Sequence, residues 1–200
     1  MTYIRPEDVQ IDAWEALGNP EWNWKSLYPY YKRSEAFQVP TDQQQMNGAA
    51  FELEAHGFDG PLDVSFNLAL LGGNIHSVLN ETWRNLGIPW RREVNDGKLR
   101  GFTVWPQTLD SSANVREDAA RAYYYPIANR SNLDVYVNTI ASRIFWAKAV
   151  KSENRVATGV EIISADGSAS ILTAKKEVII STGALRTPVL LERSGIGSPE

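Results

Sequence analysis

Residues 177 to 197, EVIISTGALRTPVLLERSGIG, contain the pattern that decides the fold. Val178 and the two isoleucines after it are apolar on both faces, which predicts a central strand over Glu177–Ser181 with helices on either side. Thr187 and Pro188 predict a helix start, with the threonine as N-cap and the proline at the first helical position. The glycine between strand and helix lets backbone approach a nucleotide cofactor, because glycine has no Cβ. Tight packing without a ligand is the alternative that this pattern alone leaves open.

The residues before this stretch, from 132 onward, predict a β-meander. They are rich in β-branched side chains, and Asp166-Gly167 is expected to join two strands as a hairpin. Residues 132–200 therefore indicate an α/β fold built from a meander followed by a strand-turn-helix unit. The predicted strands of the meander are Leu133–Val137, Ile140–Ala149, Val156–Ile163 and Ser168–Ala174.

Residues 1–131 predict a helical and loop region that is rich in aromatic side chains. Within it, residues 38–74 are polar and turn-rich and predict a long ordered loop region. The tryptophan rings of the first helices are interpreted as core side chains rather than as a carbohydrate-binding platform. Apolar spacing and capping signals predict four helices, over residues 7–17, after Asn23, over residues 75–86 capped by Asn74, and from Asn114 to Pro126.

Composition and charge exclude several classes of function. The formal net charge is -4 with acidic and basic residues interspersed, which leaves no basic surface for nucleic acid. No run of about eighteen apolar residues predicts a membrane span, and no charged, apolar start predicts a signal peptide. Because the sequence contains no cysteine, disulfides and thiolate metal ligands are excluded, and no metal site is predicted.

The run from Gly183 to Gly197 resembles the second signature of the glucose-methanol-choline oxidoreductases at every constrained position. The rest of the chain resembles the same family, so the resemblance covers its whole length, and it is strongest to the glucose oxidase-like members. The other segments that carry it are TYIRP at 2–6, DAWE at 12–15, WNW at 22–24, HGFDGP at 56–61 and the stretch from Arg116 to Pro126.

The resemblance implies FAD as the cofactor and a Rossmann-like FAD-binding domain, in which three antiparallel strands precede the last parallel strand. Thr2 matches a threonine beside the flavin ring. Ala141 matches the position whose backbone contacts the adenine, where the family usually has valine. Thr182 and Gly183 match the stretch that passes near the ribose and diphosphate. These four residues are the predicted cofactor-binding residues.

Two parts of the family pattern are missing from the sequence. The G-x-G-x-x-G segment, which would take the diphosphate, would precede Met1, and the histidine-led catalytic pair would follow residue 200. The chain is therefore expected to be an internal fragment, and no catalytic residue is assigned within it. Of its two histidines, His56 is predicted to be a structural hydrogen-bonding residue and His76 a solvent-facing one.

Two functions from different classes fit the sequence. The first is part of an FAD-dependent enzyme that oxidises a CH-OH group of a sugar or alcohol, with an aldose such as glucose preferred and aryl or other primary alcohols left open. The second is a non-catalytic fragment that acts as a binding or interaction module. For the full-length protein, the resemblance also allows for a homodimer and for secretion, in which case Asn129 is a better glycosylation acceptor than Asn80 because it lies in a connector.

Overall fold

A computed structural model of the chain describes residues 2–67, 75–148 and 154–198. The chain divides into two compact units, residues 1–130 and residues 131–200. Both units mix helices and strands, which confirms the α/β class.

The helices of the first unit begin at side chains that accept the free backbone N–H groups of the first turn. α1 (Asp8–Ala16) has a capping box between Glu7 and Gln10. α2 (Trp24–Ser34) is capped by Asn23, whose side chain accepts a hydrogen bond from the Ser26 amide, as predicted. The unit also contains α3 (Asp42–Met46) and α4 (Ile75–Asn85). The predicted cap of α4, Asn74, lies outside the described residues.

A four-stranded sheet, which sequence reasoning missed, crosses the first unit. Its strands are β1 (Glu35–Phe37), β2 (Leu62–Ser65), β3 (Gln107–Asp110) and β4 (Val115–Arg116), in that spatial order. β1 and β2 are parallel, and the other pairs are antiparallel. The predicted loop over 38–74 was therefore wrong for β2, because strands of two to four residues are too short to show an alternating pattern. It was also wrong for α3, a five-residue helix that begins at a capping box between Thr41 and Gln44.

The core of the first unit lies on this sheet. Phe37, Val64, Phe66 and Ala49 are buried together. The tryptophan interpretation was wrong for Trp14 and Trp22, which are 44% and 54% exposed. Trp24 is partly buried and stacks on Tyr28.

The helix predicted from Asn114 was also wrong. Asn114 has a φ of 51° in the turn between β3 and β4. Asp118, not Asn114, accepts the first free amides, from Ala120 and Arg121 at 3.0 Å. A π-helical turn over Ala120–Tyr124 and a 3-10 turn over Tyr125–Ile127 follow.

The second unit contains the predicted meander. β5 (Ile140–Trp146), β6 (Ala157–Ile163) and β7 (Ala169–Thr173) form an antiparallel sheet in that order. Asp166 and Gly167 make the predicted turn, in which the Gly167 amide donates to the Ser164 carbonyl at 2.9 Å.

Two of the strands predicted in this unit do not form. Leu133–Val137 is irregular and mostly exposed, and Glu177–Ser181 has no strand partner in the described parts of the chain. An extended segment forms a β-strand only when its backbone hydrogen-bonds to a neighbouring strand, and apolar side chains alone do not provide that partner. The C-terminal end of the predicted strand Ile140–Ala149 lies outside the described residues.

α5 (Arg186–Arg193) closes the second unit and begins two residues earlier than predicted. Thr187 is consequently the second residue of the helix and not its cap. The end of α5 is joined to β5 through Ser194, whose hydroxyl accepts from the Ile144 amide at 2.8 Å and donates to the Leu190 carbonyl at 2.6 Å. The Trp146 indole N–H donates to the Ser194 carbonyl at 2.6 Å.

Candidate cofactor site

The turn before α5 is open on the side where a side chain would stand. Gly183 has a φ of 88°, and a Cβ added there would have no neighbour within 4 Å. That φ favours glycine for conformational reasons. The adjacent empty space allows a flat or charged ligand to approach the backbone directly.

Hydrogen bonds within the turn hold its shape. The hydroxyls of Thr182 and Thr187 are 2.9 Å apart and hydrogen-bonded. The Thr187 amide donates to the Gly183 carbonyl at 3.0 Å. The turn is exposed at Thr182 and Gly183. These residues fit a cofactor that is held through backbone contacts, because the structure forms the turn and leaves its outer side free.

Ala141 lies at an irregularity in β5. It pairs with Ile162, whereas Arg143 pairs with the next residue along, Glu161, so Ser142 is the extra residue of a bulge. A bulge leaves backbone groups out of the ladder. The backbone beside Ala141 is therefore suited to contact a ligand, which is the type of contact predicted for this position.

Thr2 belongs to the first unit, whereas Ala141, Thr182 and Gly183 belong to the second. Thr2 is exposed and forms an antiparallel bridge with Gln107. Sequence reasoning did not predict this bridge, since Gln107 is about a hundred residues away in sequence and β3 gives no alternating pattern.

His56 has the predicted structural role. It is buried, its Nδ1 lies 2.8 Å from a Glu35 carboxylate oxygen, and its Nε2 lies 3.0 Å from a Glu93 carboxylate oxygen. Burial lowers the pKa of His56, but the two carboxylates outweigh that effect and hold the pKa above its ordinary 6.5. Burial raises the pKa of Glu93, and the facing His56 outweighs it, so that pKa lies below its ordinary 4.5.

The prediction for His76 was wrong. The residue is half-buried and lines a cavity of about 790 Å³ in the first unit, beside the apolar side chains of Leu79, Trp83 and Phe102. The apolar positions expected to be buried are instead exposed, with Ile75 at 63%. The spacing of the apolar residues correctly predicted the helix α4. That spacing does not show which face of the helix packs against the rest of the unit.

In the described ranges, no helix has the length and apolar character needed to cross a membrane. Over the same ranges, no group of three histidine or acidic side chains is arranged to hold a metal ion. Asn129 is exposed, while Asn80 is half-buried against the cavity.

The antiparallel meander and the open glycine turn before α5 are compatible with a class of α/β proteins that hold a dinucleotide against their backbone. The chain belongs to the GMC oxidoreductase family, whose model matches residues 1–200. This assignment confirms the resemblance carried by residues 183–197, and FAD is the cofactor that it supports.

Similar proteins agree with this assignment. The chain is 50% identical over 188 residues to the glucose oxidase-like protein fsoC of Humicola fuscoatra, which covers 94% of this chain and 32% of that protein. It is 31% identical over 204 residues to glucose oxidase of Aspergillus carbonarius, with 98% of this chain and 32% of that protein covered. The chain thus spans about a third of the length of these curated relatives.

Solved structures share the fold. An FAD-dependent oxidoreductase from Chaetomium thermophilum matches with a TM-score of 0.85 at 28% identity, covering 98% of this chain and 33% of that one. A fungal aryl-alcohol oxidase matches with a TM-score of 0.82 at 28% identity and the same coverage. The chain is therefore an α/β part of a Rossmann-like FAD-binding fold of this family.

Proposed function

We propose that this chain contributes the cofactor-facing part of an FAD-dependent oxidoreductase that oxidises a CH-OH group of a sugar or alcohol. The observation that carries the proposal is the open turn at Gly183, where a positive φ and empty space coincide in the segment that carries the family signature. When bound, FAD supplies the hydride acceptor for the carbon that bears the hydroxyl.

The four predicted residues have separate roles in binding. Thr182 and Gly183 present backbone to the ribose and diphosphate, and the hydroxyl pair of Thr182 and Thr187 holds that backbone in place. Ala141, next to the bulged Ser142, presents its backbone to the adenine. Thr2 lies beside the flavin ring. No side chain of this chain is assigned as the base that takes the hydroxyl proton.

A sugar, and in particular an aldose, is the preferred substrate. The 50% identical relative is named glucose oxidase-like, which supports this choice. Aryl alcohols are the second candidate, supported by the likeness to an aryl-alcohol oxidase structure. Comparing kcat/KM for glucose and for benzyl alcohol in the full-length protein discriminates between them. A homodimer of the full-length protein remains part of the proposal and is tested by its mass in solution.

Replacing Gly183 with valine in the full-length protein tests the cofactor contact. A branched side chain there fills the space that the cofactor needs, so we expect FAD content to fall. Positive φ also strains any Cβ-bearing residue, so the melting temperature must be measured with flavin occupancy. Ala184→Ser, one residue along, is the matched control and should change both less.

A Gly183→Val protein that folds and keeps stoichiometric FAD contradicts the contact. If the full-length wild-type protein binds no FAD and oxidises neither alcohol, the rival function, a non-catalytic binding module, is favoured. The isolated 200-residue chain is expected to show no turnover with glucose and an electron acceptor, because it contains neither the histidine pair nor the G-x-G-x-x-G segment.

A further inference from the structure

A buried cluster of charged side chains lies next to the segment that carries Thr2. Arg5, Glu35, His56 and Glu93 are each at most 5% exposed. Burial of ionisable groups is costly unless their charges neutralise one another and their hydrogen bonds are satisfied. Apolar side chains of the same volume would fill this space without that cost, so the cluster points to a role beyond filling the core.

The geometry of the cluster fixes the protonation of His56. Its Nδ1 faces Glu35 at 2.8 Å and its Nε2 faces Glu93 at 3.0 Å. A neutral imidazole has one N–H and one lone pair, so one carboxylate would face a lone pair. With both carboxylates ionised, both contacts are hydrogen bonds only if His56 carries both protons. With Arg5, the cluster then holds two positive and two negative charges and is neutral overall.

Arg5 connects the cluster to the Thr2 segment. Its guanidinium donates to Glu35 at 2.5 Å, to the Ala55 carbonyl at 2.6 Å and to the Asn95 carbonyl at 2.9 Å. Its backbone amide donates to the Asn95 side chain at 2.9 Å. Both the backbone and the side chain of Arg5 are therefore fixed by buried partners.

The other end of the segment is fixed by the sheet. Thr2 bridges to Gln107, and the Tyr3 amide donates to the Pro106 carbonyl at 3.0 Å. Residues 2 to 5 are thus held at both ends, and Arg5 belongs to the same short anchored segment as the cofactor-binding candidate Thr2.

Two glycines show how closely the chain is packed around Glu35 and His56. A Cβ on Gly57 would lie 1.8 Å from the Lys32 carbonyl oxygen, and a Cβ on Gly60 would lie 2.3 Å from the Glu35 amide nitrogen. The Gly57 amide also donates to the Glu35 carboxylate at 3.2 Å. The backbone around Glu35 is therefore packed so closely that neither glycine can carry a side chain unless the backbone shifts.

We propose that Glu35 and His56 are positioning residues for the flavin, which act through Arg5 to fix where Thr2 meets the cofactor ring. This inference rests on the proposed function, which places Thr2 beside FAD. Loss of the charge balance displaces Arg5 and changes the surroundings of the flavin. It does not release FAD, because the proposed diphosphate and adenine contacts lie in residues 131–200.

The charges of the buried cluster compensate one another only over a limited range of pH. The charged and titratable groups around His56 are Glu35 from β1, Glu93 from the segment before Asn95, and, through Glu35, Arg5 and Tyr3. The raised pKa of His56 means that its contribution is complete below pH 6.5 and is lost as the pH rises through the raised value. The lowered pKa of Glu93 means that its contribution is present above pH 4.5 and is lost below the lowered value.

The first experiment replaces His56 with glutamine in the full-length, FAD-loaded protein. We expect the visible circular dichroism of the flavin and its midpoint potential to shift while FAD content is unchanged. His76→Gln, at the other histidine of the chain, is the matched control and should leave both readings as in the wild-type protein. A purely structural role for His56 would lower the melting temperature without moving either flavin reading.

A double-mutant cycle tests the route through Thr2. If the cluster acts through Thr2, the shift caused by His56→Gln disappears in a Thr2→Ala background, because the transmitting contact is gone. An equal shift in both backgrounds overturns the proposal. A charge-balanced pair, His56→Gln with Glu93→Gln, should restore part of the wild-type flavin spectrum, and failure to do so counts against the role of charge.

A pH titration keeps the proposal testable if His56→Gln does not fold. The visible dichroism of the FAD-loaded wild-type protein should change as the pH rises above the ordinary range of histidine, and the same step should be absent from Thr2→Ala. A flat titration overturns the positioning role and leaves FAD binding intact. A wild-type protein that holds no FAD overturns the proposed function itself, so the two failures are distinguishable.

Discussion

The two units of the chain are stabilised by different means. In the first unit, Arg5, Glu35, His56 and Glu93 are buried beside an aromatic core. In the described part of the second unit, the buried side chains are Ile144, Ile162, Leu190 and Ser194, and a three-stranded ladder provides most of the order. The stability of the first unit therefore relies on buried charges that compensate one another. The stability of the second unit relies on backbone hydrogen bonds between its strands and on the buried hydroxyl of Ser194.

This difference has a physical consequence for tolerance to mutation. A buried ion pair that loses one partner leaves an uncompensated charge, which costs about 3–5 kcal/mol. A neutral hydrogen bond that loses one partner costs about 1–3 kcal/mol when the remaining group is buried. We therefore expect the first unit to be the more sensitive to single polar substitutions.

The largest effect is expected for Glu35→Ala. The change leaves Arg5 and the protonated His56 buried without their shared carboxylate. We expect a loss of about 3–5 kcal/mol in the free energy of unfolding, measured by chemical denaturation of the full-length protein. Glu81→Ala, at an exposed position of α4, is the control and should stay within about 0.5 kcal/mol. Equal losses for the two variants would contradict the importance of the cluster.

The next effect concerns close packing around that cluster. Gly57→Ala places a methyl group 1.8 Å from the Lys32 carbonyl oxygen, so the backbone must move. We expect a destabilisation of about 3 kcal/mol, measured in the same way. Gly18→Ala separates clash from strain, because Gly18 has a φ of 97° but no neighbour within 4 Å of a Cβ. A cost for Gly57→Ala no larger than that for Gly18→Ala would contradict the expected clash with the Lys32 carbonyl.

What the sequence predicted follows the same division. In the second unit, the long β-branched runs and the Asp166-Gly167 turn predicted β5 to β7 correctly, since local pattern and local structure coincide there. The strand over Glu177–Ser181 was not formed, because its pattern describes a buried strand but does not provide the neighbouring strand that pairs with it.

In the first unit, most of the structure depends on contacts between distant residues. The sheet from β1 to β4 joins short segments that are far apart in sequence. Hydrophobic alternation over two to four residues is too short to predict a strand. The role of His56 was predicted, but its partners Glu35 and Glu93 were not, because they lie 21 and 37 residues away. The four candidate cofactor residues came from the family resemblance of the whole chain, and their contacts with FAD stay predictions.

A smaller effect is expected for Ser194→Ala in the second unit. The substitution removes the acceptor of the buried Ile144 amide at the junction of α5 and β5. We expect a loss of about 1–3 kcal/mol, measured as a lower denaturation midpoint for this unit. Ser170→Ala, on the exposed strand β7, is the control and should have little effect. A cost as large as that of Glu35→Ala would contradict the expectation that the first unit is more sensitive to single polar substitutions than the second.

The smallest effect is expected at the hairpin between β6 and β7. Gly167 has a φ of 84° and no neighbour within 4 Å of an added Cβ, so Gly167→Ala introduces backbone strain without a clash. A left-handed conformation costs a residue with a Cβ about 1–2 kcal/mol, so we expect a loss of that size in the free energy of unfolding. Gly167→Asn should cost less, because asparagine adopts this conformation more readily. A loss for asparagine that equals or exceeds the loss for alanine would show that the positive φ of Gly167 does not determine the cost.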